Sequence, residues 1–192
     1  MFQFDTKLFL LLNAGVNPNA GVEWLAIFAA KFVILAIPLY LAKLWIAGGQ
    51  RNRLTALALV LALILAGAVG YVIGAVAFRP RPFMIGLGHL LISHSPDASF
   101  PSDHGLAFAV WAAVLFMTRR WAAAWLATAL GVLVAWSRIY LGVHYPLDMV
   151  GAAIIAVPVA MLSLWIVDRY GGAMLMPLEQ LQRQLLRRFA KT

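Results

Sequence analysis

The chain has 192 residues, 64% of them hydrophobic and 11% charged. A soluble domain carries about 25% charged residues, so this sequence has too few to cover a water-facing surface and is expected to form one integral membrane protein over residues 1–192. The absence of cysteine excludes disulfides, thiolate metal sites and a cysteine nucleophile.

In chain order, Phe2–Asn13 reads as an amphipathic helix lying on the outer leaflet, and neither it nor the tail looks catalytic. Its apolar run, Leu8 to Leu12, is short and follows Asp5, which argues against a cleavable signal peptide. Five stretches are then expected to span: Trp24–Ile46, Leu54–Phe78, Ser102–Thr118, Trp121–Tyr140 and Leu147–Val167. Trp24, Trp45, Trp121 and Trp165 lie near the predicted ends as interfacial anchors, whereas Trp111 is a packing residue. Between Pro82 and Phe100 the chain is interrupted by Gly86, Gly88, Ser93 and Pro96, and is predicted to be a re-entrant or interfacial lid. After Pro177, Leu178, Leu181, Leu185 and Phe189 share a helical face while Arg183, Arg187 and Arg188 fall mostly elsewhere, so 174–192 is expected to be a basic amphipathic tail on the inner leaflet. The predicted fold is all-α, a polytopic helix bundle with about five spans, two amphipathic terminal helices and a lid.

Five spans put Lys43–Arg53, Arg119–Arg120 and Asp168–Thr192 on one side, with two thirds of the 15 basic residues. The positive-inside rule makes that side cytoplasmic. The net charge of +8 is therefore read as a topology signal, and no nucleic-acid partner is expected. Three polar stretches fall on the opposite, outer side: Arg79-Pro80-Arg81-Pro82, Pro101-Ser102-Asp103-His104, and Ser137-Arg138 followed by His144 and Asp148.

Each stretch alone has an ordinary explanation. Arg79 and Arg81 would snorkel, Ser102 would cap a helix, and Asp148 would cap the next one. Together those explanations fail. The chain has only four histidines and seven acids, yet two histidines and an acid land beside three arginines. Prolines stiffen the arginine run, and guanidinium forks suit a phosphate. Pro101 and Pro146 each open a helix, whose free N–H groups favour an anion. His144 and Asp148 straddle a helix start, where the carboxylate would accept from one ring nitrogen and leave the other to attack phosphorus.

Pro-Ser-x-His, and Ser-Arg followed after five residues by His and after three more by Asp, resemble the second and third signatures of the type 2 phosphatidic acid phosphatase superfamily. Both are matched in full. That resemblance implies His144 as the nucleophile, Asp148 as its orienter and His104 as the acid, with Arg81, Arg138 and Ser102 holding the phosphoryl group. It also implies no cofactor and no metal, the arginines and helix N-termini carrying the charge instead. The first signature departs. Its lysine would precede Arg-Pro by seven positions, but Gly74 stands there before Arg81 and Val72 before Arg79. Arg79 is one candidate for the missing charge. Lys31 is another, about 10 Å below the outer end of the first span by helical rise. Asp103, inside Pro-Ser-Asp-His, joins the substrate-binding candidates.

Arg-Pro-Arg-Pro-Phe, Pro-Ser-Asp-His and Gly-Val-His-Tyr-Pro-Leu-Asp look most like the bacitracin-resistance-type undecaprenyl pyrophosphate phosphatases. The expected partners are accordingly a polyprenyl pyrophosphate and membrane lipids, in a bacterial inner membrane with the site facing outward. Hydrolysis of phosphatidylglycerol phosphate or phosphatidate, or phosphoryl transfer to a second lipid, is the alternative on the same scaffold. A non-enzymatic lipid-phosphate carrier is the alternative from another class, and would need more polar residues inside the spans than this chain offers.

Overall fold

The structure is a computed structural model that describes residues 3–189. Lys191 and the end of the predicted tail lie outside the described residues, as do the side chains of Arg183, Leu185, Arg187, Arg188 and Phe189. Seven α-helices follow one another: α1 (Gln3–Leu12), α2 (Ala20–Phe32), α3 (Ala36–Ala47), α4 (Gln50–Val76), α5 (Asp103–Met117), α6 (Trp121–Tyr140) and α7 (Pro146–Phe189). Among the described residues the sole β-type pairing is an isolated bridge between Pro80 and Ala98.

Among the described residues four stretches are long and apolar enough to cross a membrane: Ala20–Ala47, Gln50–Val76, Trp121–Tyr140 and Pro146–Gln182. The first is α2 and α3 joined by a 3₁₀ turn at Val33–Leu35. Pro38 has no N–H to give to the carbonyl four residues back, and its ring crowds that carbonyl, so the α-helical ladder breaks there. Gly48 and Gly49, both with positive φ, then turn the chain into α4.

The expected third span is the exception. α5 has 15 residues, about 22 Å by helical rise, short of a 30 Å hydrocarbon core. It compensates by position. Leu106, Phe108, Val110, Trp111, Val114 and Leu115 are buried against α4, α6 and α7, so α5 meets protein where the other helices meet lipid.

The expected division between a fifth span and a separate tail is not seen. One helix runs from Pro146 to Phe189 through Pro158 and Pro177. Its far end is tied to the rest by Arg53, which donates to Glu179 at 2.6 Å, and by Trp45, whose Nε1 donates to Gln182 at 3.1 Å.

The C-terminal ends of α4 and α6 and the N-terminal ends of α5 and α7 lie at the same end of the bundle, as alternation of direction requires. The segment between α4 and α5 folds across that end, starting with a 3₁₀ turn at Pro82–Ile85. It is pinned rather than loose: Ser99 N donates to Arg79 O at 2.8 Å, and Leu91 N to Leu141 O at 3.1 Å. α1 closes over the same end. Its Phe9 is fully buried against Tyr145, with ring centroids 5.6 Å apart. Asn13 bonds His89 through both amide atoms and donates to Tyr140 O.

Candidate active site

The site is built from four chain segments that the bundle brings to one end. Gly142, at φ 84°, turns the chain out of α6, and Pro146 starts α7. Between them His144 and Tyr145 are held almost without exposure.

His144 faces two acceptors through Nδ1, and Arg81 Nη1 lies 2.9 Å from its Nε2 and 3.3 Å from its Nδ1. Its Nδ1 lies 2.9 Å from the Ser99 carbonyl oxygen and 3.3 Å from Asp148 Oδ2. The Ser99 carbonyl can only accept, so Nδ1 carries the hydrogen. Nε2 keeps its lone pair and accepts from Arg81 Nη1 at 2.9 Å. Burial pushes the His144 pKa down to about 4; the Asp148 hydrogen bond and charge pull upward, and the Arg81 and Arg138 charges push further down. The ring is a neutral nucleophile with a fixed tautomer.

Asp148 is saturated. Its Oδ2 accepts from Ser99 Oγ at 2.5 Å and from Tyr145 N at 2.8 Å, besides facing His144. Its Oδ1 accepts from Arg79 Nη1 at 2.8 Å. Arg79 Nη2 donates to Asp5 at 2.5 Å, and the guanidinium stacks 4.0 Å from the Tyr145 ring centroid. Asp5 is fully buried and takes Leu147 N at 3.0 Å. The α7 N-terminus, expected to await a substrate anion, thus already faces two protein carboxylates.

Arg81 is locked by Asp97, which accepts from its Nε at 2.6 Å, and by Val143 O at 3.3 Å from Nη1. Burial would raise the Asp97 pKa, but the Arg81 hydrogen bond and charge outweigh it and hold the carboxyl below its usual value. Arg138 is different. It is 5% exposed, its Nε is buried without a partner, and it makes no side-chain hydrogen bond among the described residues. A buried guanidinium without a counter-ion is costly, and next to Arg81 and the histidines it forms a site that an anion would satisfy.

His104 lies in the first turn of α5, half-buried, close enough to feel the charges of Arg138, His94 and Arg81. Ser102 is the N-cap of α5: its Oγ accepts from Gly105 N at 3.3 Å, which leaves the hydroxyl hydrogen free to donate. Its backbone N donates to Asp148 O at 3.4 Å, joining the second stretch to the third.

Three sequence candidates make no hydrogen bond to the His144 ring among the described residues. Arg79 is engaged by Asp5 and Asp148, so it is not a free cation for the missing lysine. Lys31 is exposed on α2 and makes no hydrogen bond among the described residues, as expected of a side chain that snorkels. Asp103 is exposed in a cleft against α4 lined by Gly67, Gly70, Tyr71 and Gly74, from which its charge reaches Arg138. Gly70 matters there because an added Cβ would come 2.9 Å from Leu106 Cδ1.

Sequence reasoning missed Asp5, His94, Asp97 and Ser99. His94 stands edge-on to His144 with ring centroids 6.4 Å apart, and its Nδ1 faces Ser95 O at 3.0 Å. Burial lowers its pKa. The lid residues carried one available signal: Ser, His and Asp recur just before Pro101 in an otherwise apolar chain. Asp5 carried another, as the single acid on the apolar α1. Among the described residues no three His, Asp or Glu side chains converge in a way that would hold a metal ion.

The arrangement as a whole is a neutral imidazole backed by a carboxylate, beside a pair of guanidiniums and a second imidazole, at a membrane-protein surface. The profile of the PAP2 superfamily matches residues 55–171, a span containing every one of these groups except Asp5. YbjG of Escherichia coli (strain K12) is 38% identical over 148 residues, covering 77% of this chain and 74% of that protein. The undecaprenyl-diphosphatase BcrC of Bacillus subtilis (strain 168) is 33% identical over 157 residues, covering 81% and 80%. The crystal structure of Aquifex aeolicus LpxE superposes with a TM-score of 0.68 at 26% identity, covering 85% of this chain and 96% of that one. This chain, a multi-pass membrane protein, belongs to the PAP2 superfamily.

Proposed function

We propose that this protein is an undecaprenyl pyrophosphate phosphatase that releases the terminal phosphate and leaves undecaprenyl phosphate. The observation that carries the reading is the His144 ring: Nδ1 is tied to Ser99 O and Asp148, and Nε2 is presented to Arg81. The substrate follows by likeness to BcrC, whose name states that activity.

In the proposed reaction the terminal phosphoryl group displaces Arg81 from Nε2 and lies between Arg81, Arg138 and the Ser102 hydroxyl. The Nε2 lone pair forms the N–P bond as the P–O bond to the lipid monophosphate breaks, and the leaving oxygen takes its proton from His104. Asp148 stabilises the cationic ring that results. Water, deprotonated by His104, then attacks phosphorus, the N–P bond breaks, and phosphate leaves. The arginines supply the charge stabilisation, so no cofactor is assigned.

The prenyl chain is assigned to an apolar groove of ≈ 540 Å³ between α5, α6 and α7. It begins near Gly105 and Met149, one residue from His104 and Asp148, and runs toward Phe116 and Met117. The site is assigned to the outer face of a bacterial inner membrane, because the cation-rich connections lie at the other end. Residues 1–192 act as one unit in this reading, with the motifs in 79–148 and the basic end of α7 at the cytoplasmic leaflet.

The test is purified protein in detergent with undecaprenyl pyrophosphate labelled in its terminal phosphate. Wild type should form an acid-labile, base-stable phosphoenzyme on rapid quench and release phosphate. His144→Ala should do neither while remaining folded, and His104→Ala should lose most turnover. Near-normal hydrolysis by the His144 variant would overturn the assignment.

A further inference from the structure

We propose that Asp5, on the surface helix α1, is a positioning residue for the chemistry at His144, acting through Arg79 on Asp148. The inference rests on the proposed role of His144.

α1 buries Phe9 and leaves Phe4, Leu10 and Leu11 70%, 50% and 80% exposed. Asp5 alone is a fully buried acid on it. Burying a carboxylate costs several kcal/mol unless it is paired and hydrogen-bonded, and Asp5 is both, through Arg79 Nη2 and Leu147 N. Those two donors belong to the segment after α4 and to the first turn of α7. The carboxylate is therefore a clasp between the elements that carry Arg81 and Asp148.

Arg79 transmits the effect. Its two terminal nitrogens bond two different carboxylates, Asp5 and Asp148, and a planar guanidinium fixes the direction of both at once. The Tyr145 ring beneath it removes the remaining freedom. Without Asp5, Arg79 would sit with Asp148 as its one carboxylate partner, neutralise it more fully and weaken its hold on the Nδ1 hydrogen. Without Arg79, two buried carboxylates would remain close together with their bridging cation gone. The two losses act on the His144 ring with opposite electrostatic sign.

The other groups facing that ring are unchanged by either loss. They are Arg81 and His94 from the segment between α4 and α5 and Arg138 from α6, with His104 of α5 beside Arg138.

The experiment measures kcat, KM and the pH dependence of kcat/KM for undecaprenyl pyrophosphate hydrolysis by wild type, Asp5→Asn, Arg79→Met and the double variant. Substrate titration is common to all four and cancels in the comparison. Asp5→Asn should lower kcat roughly 10- to 100-fold, the range for losing a supporting partner of a site ligand, with KM held within about two-fold. Asp5→Glu should recover part of that loss. The acid limb of kcat/KM reports the free-enzyme base. It should move up by about one pH unit in Arg79→Met and down in Asp5→Asn, with the double variant between them. A clasp that only holds the fold predicts activity falling with folded fraction and a limb that stays put. Movement of both single variants in the same direction, an unmoved limb, or loss of fold in all three variants overturns the proposal. If His144→Ala retains turnover, the nucleophile reading falls first; a dead His144→Ala with unmoved limbs sinks the Asp5 assignment alone.

Discussion

Replacing Arg138 by methionine should separate stability from function. Arg138 is 5% exposed and its Nε is buried without a partner, so when no anion is bound the protein carries a buried cation with no carboxylate in contact, Asp103 and Asp97 acting on it from further off. Arg138→Met keeps much of the stem volume and removes the charge. Exchanging buried charged groups for apolar ones of similar size is commonly worth about 1 to 4 kcal/mol of stability. At roughly 2 to 4 °C per kcal/mol for a chain of this size, the substrate-free variant should melt several degrees above wild type. Turnover should move the other way. Losing one charge contact to the phosphoryl group costs about 2.7 to 4 kcal/mol in the transition state, or roughly 100- to 1000-fold in kcat. Differential scanning fluorimetry in detergent and phosphate release from undecaprenyl pyrophosphate measure the two effects on the same sample. Inorganic phosphate or orthovanadate should raise the melting temperature of wild type and leave the variant unmoved. A variant that is less stable than wild type and still turns over would refute the reasoning, because Arg138 would then be a structural cation with a partner.

Gly142→Ala should be severely damaging. The residue has φ 84° and its added Cβ would lie 2.1 Å from the His89 carbonyl oxygen, so the lid must shift; turnover should fall and limited proteolysis should cut between residues 86 and 100. Ala153→Phe fills an exposed position in the apolar groove, and should raise KM for undecaprenyl pyrophosphate several-fold more than for farnesyl pyrophosphate, as steady-state kinetics on both would show. Stability should fall on acidification. His144 titrates near 4 in the fold against 6.5 when unfolded, so the unfolded chain binds the extra proton first. The folded state loses up to about 3 kcal/mol progressively as pH drops from 6.5 to 4, and gains nothing above that window. Melting temperatures across that range should show the loss, and His144→Ala should lessen it, with His94 among the groups that keep part of the slope.

Much of this protein is written in short-range patterns. The scarcity of charge and the long apolar runs made a helix bundle unavoidable, because every backbone polar group in lipid must bond within its own helix. Spacing and the family resemblance brought out His104, Arg138, His144 and Asp148 as candidates, since rare polar residues stand out in an apolar chain. Proline also marked the helix starts, Pro146 as the first residue of α7 and Pro101 from just outside α5, one residue ahead of the Ser102 cap. What it marked less well was helix continuity: Pro38 breaks the first span, while Pro158 and Pro177 leave α7 in one piece.

Tertiary structure decided which polar residues meet, and it did so through side chains that compete for the same partners. Sequence offers Arg79 as a phosphate ligand, but Asp5, from α1 at the start of the chain, lies in the fold where it takes that guanidinium first. Ser99 and Asp97 have no fixed spacing to His144; the lid delivers them because its backbone is bonded to Arg79 and Leu141. Lys31 and Asp103 stay exposed and make no side-chain hydrogen bond among the described residues. A motif reports residues that are near in sequence, whereas a buried charge is settled by whichever counter-charge the packing brings within about 3 Å, because in a low-dielectric interior an unpaired ion is too costly to leave alone.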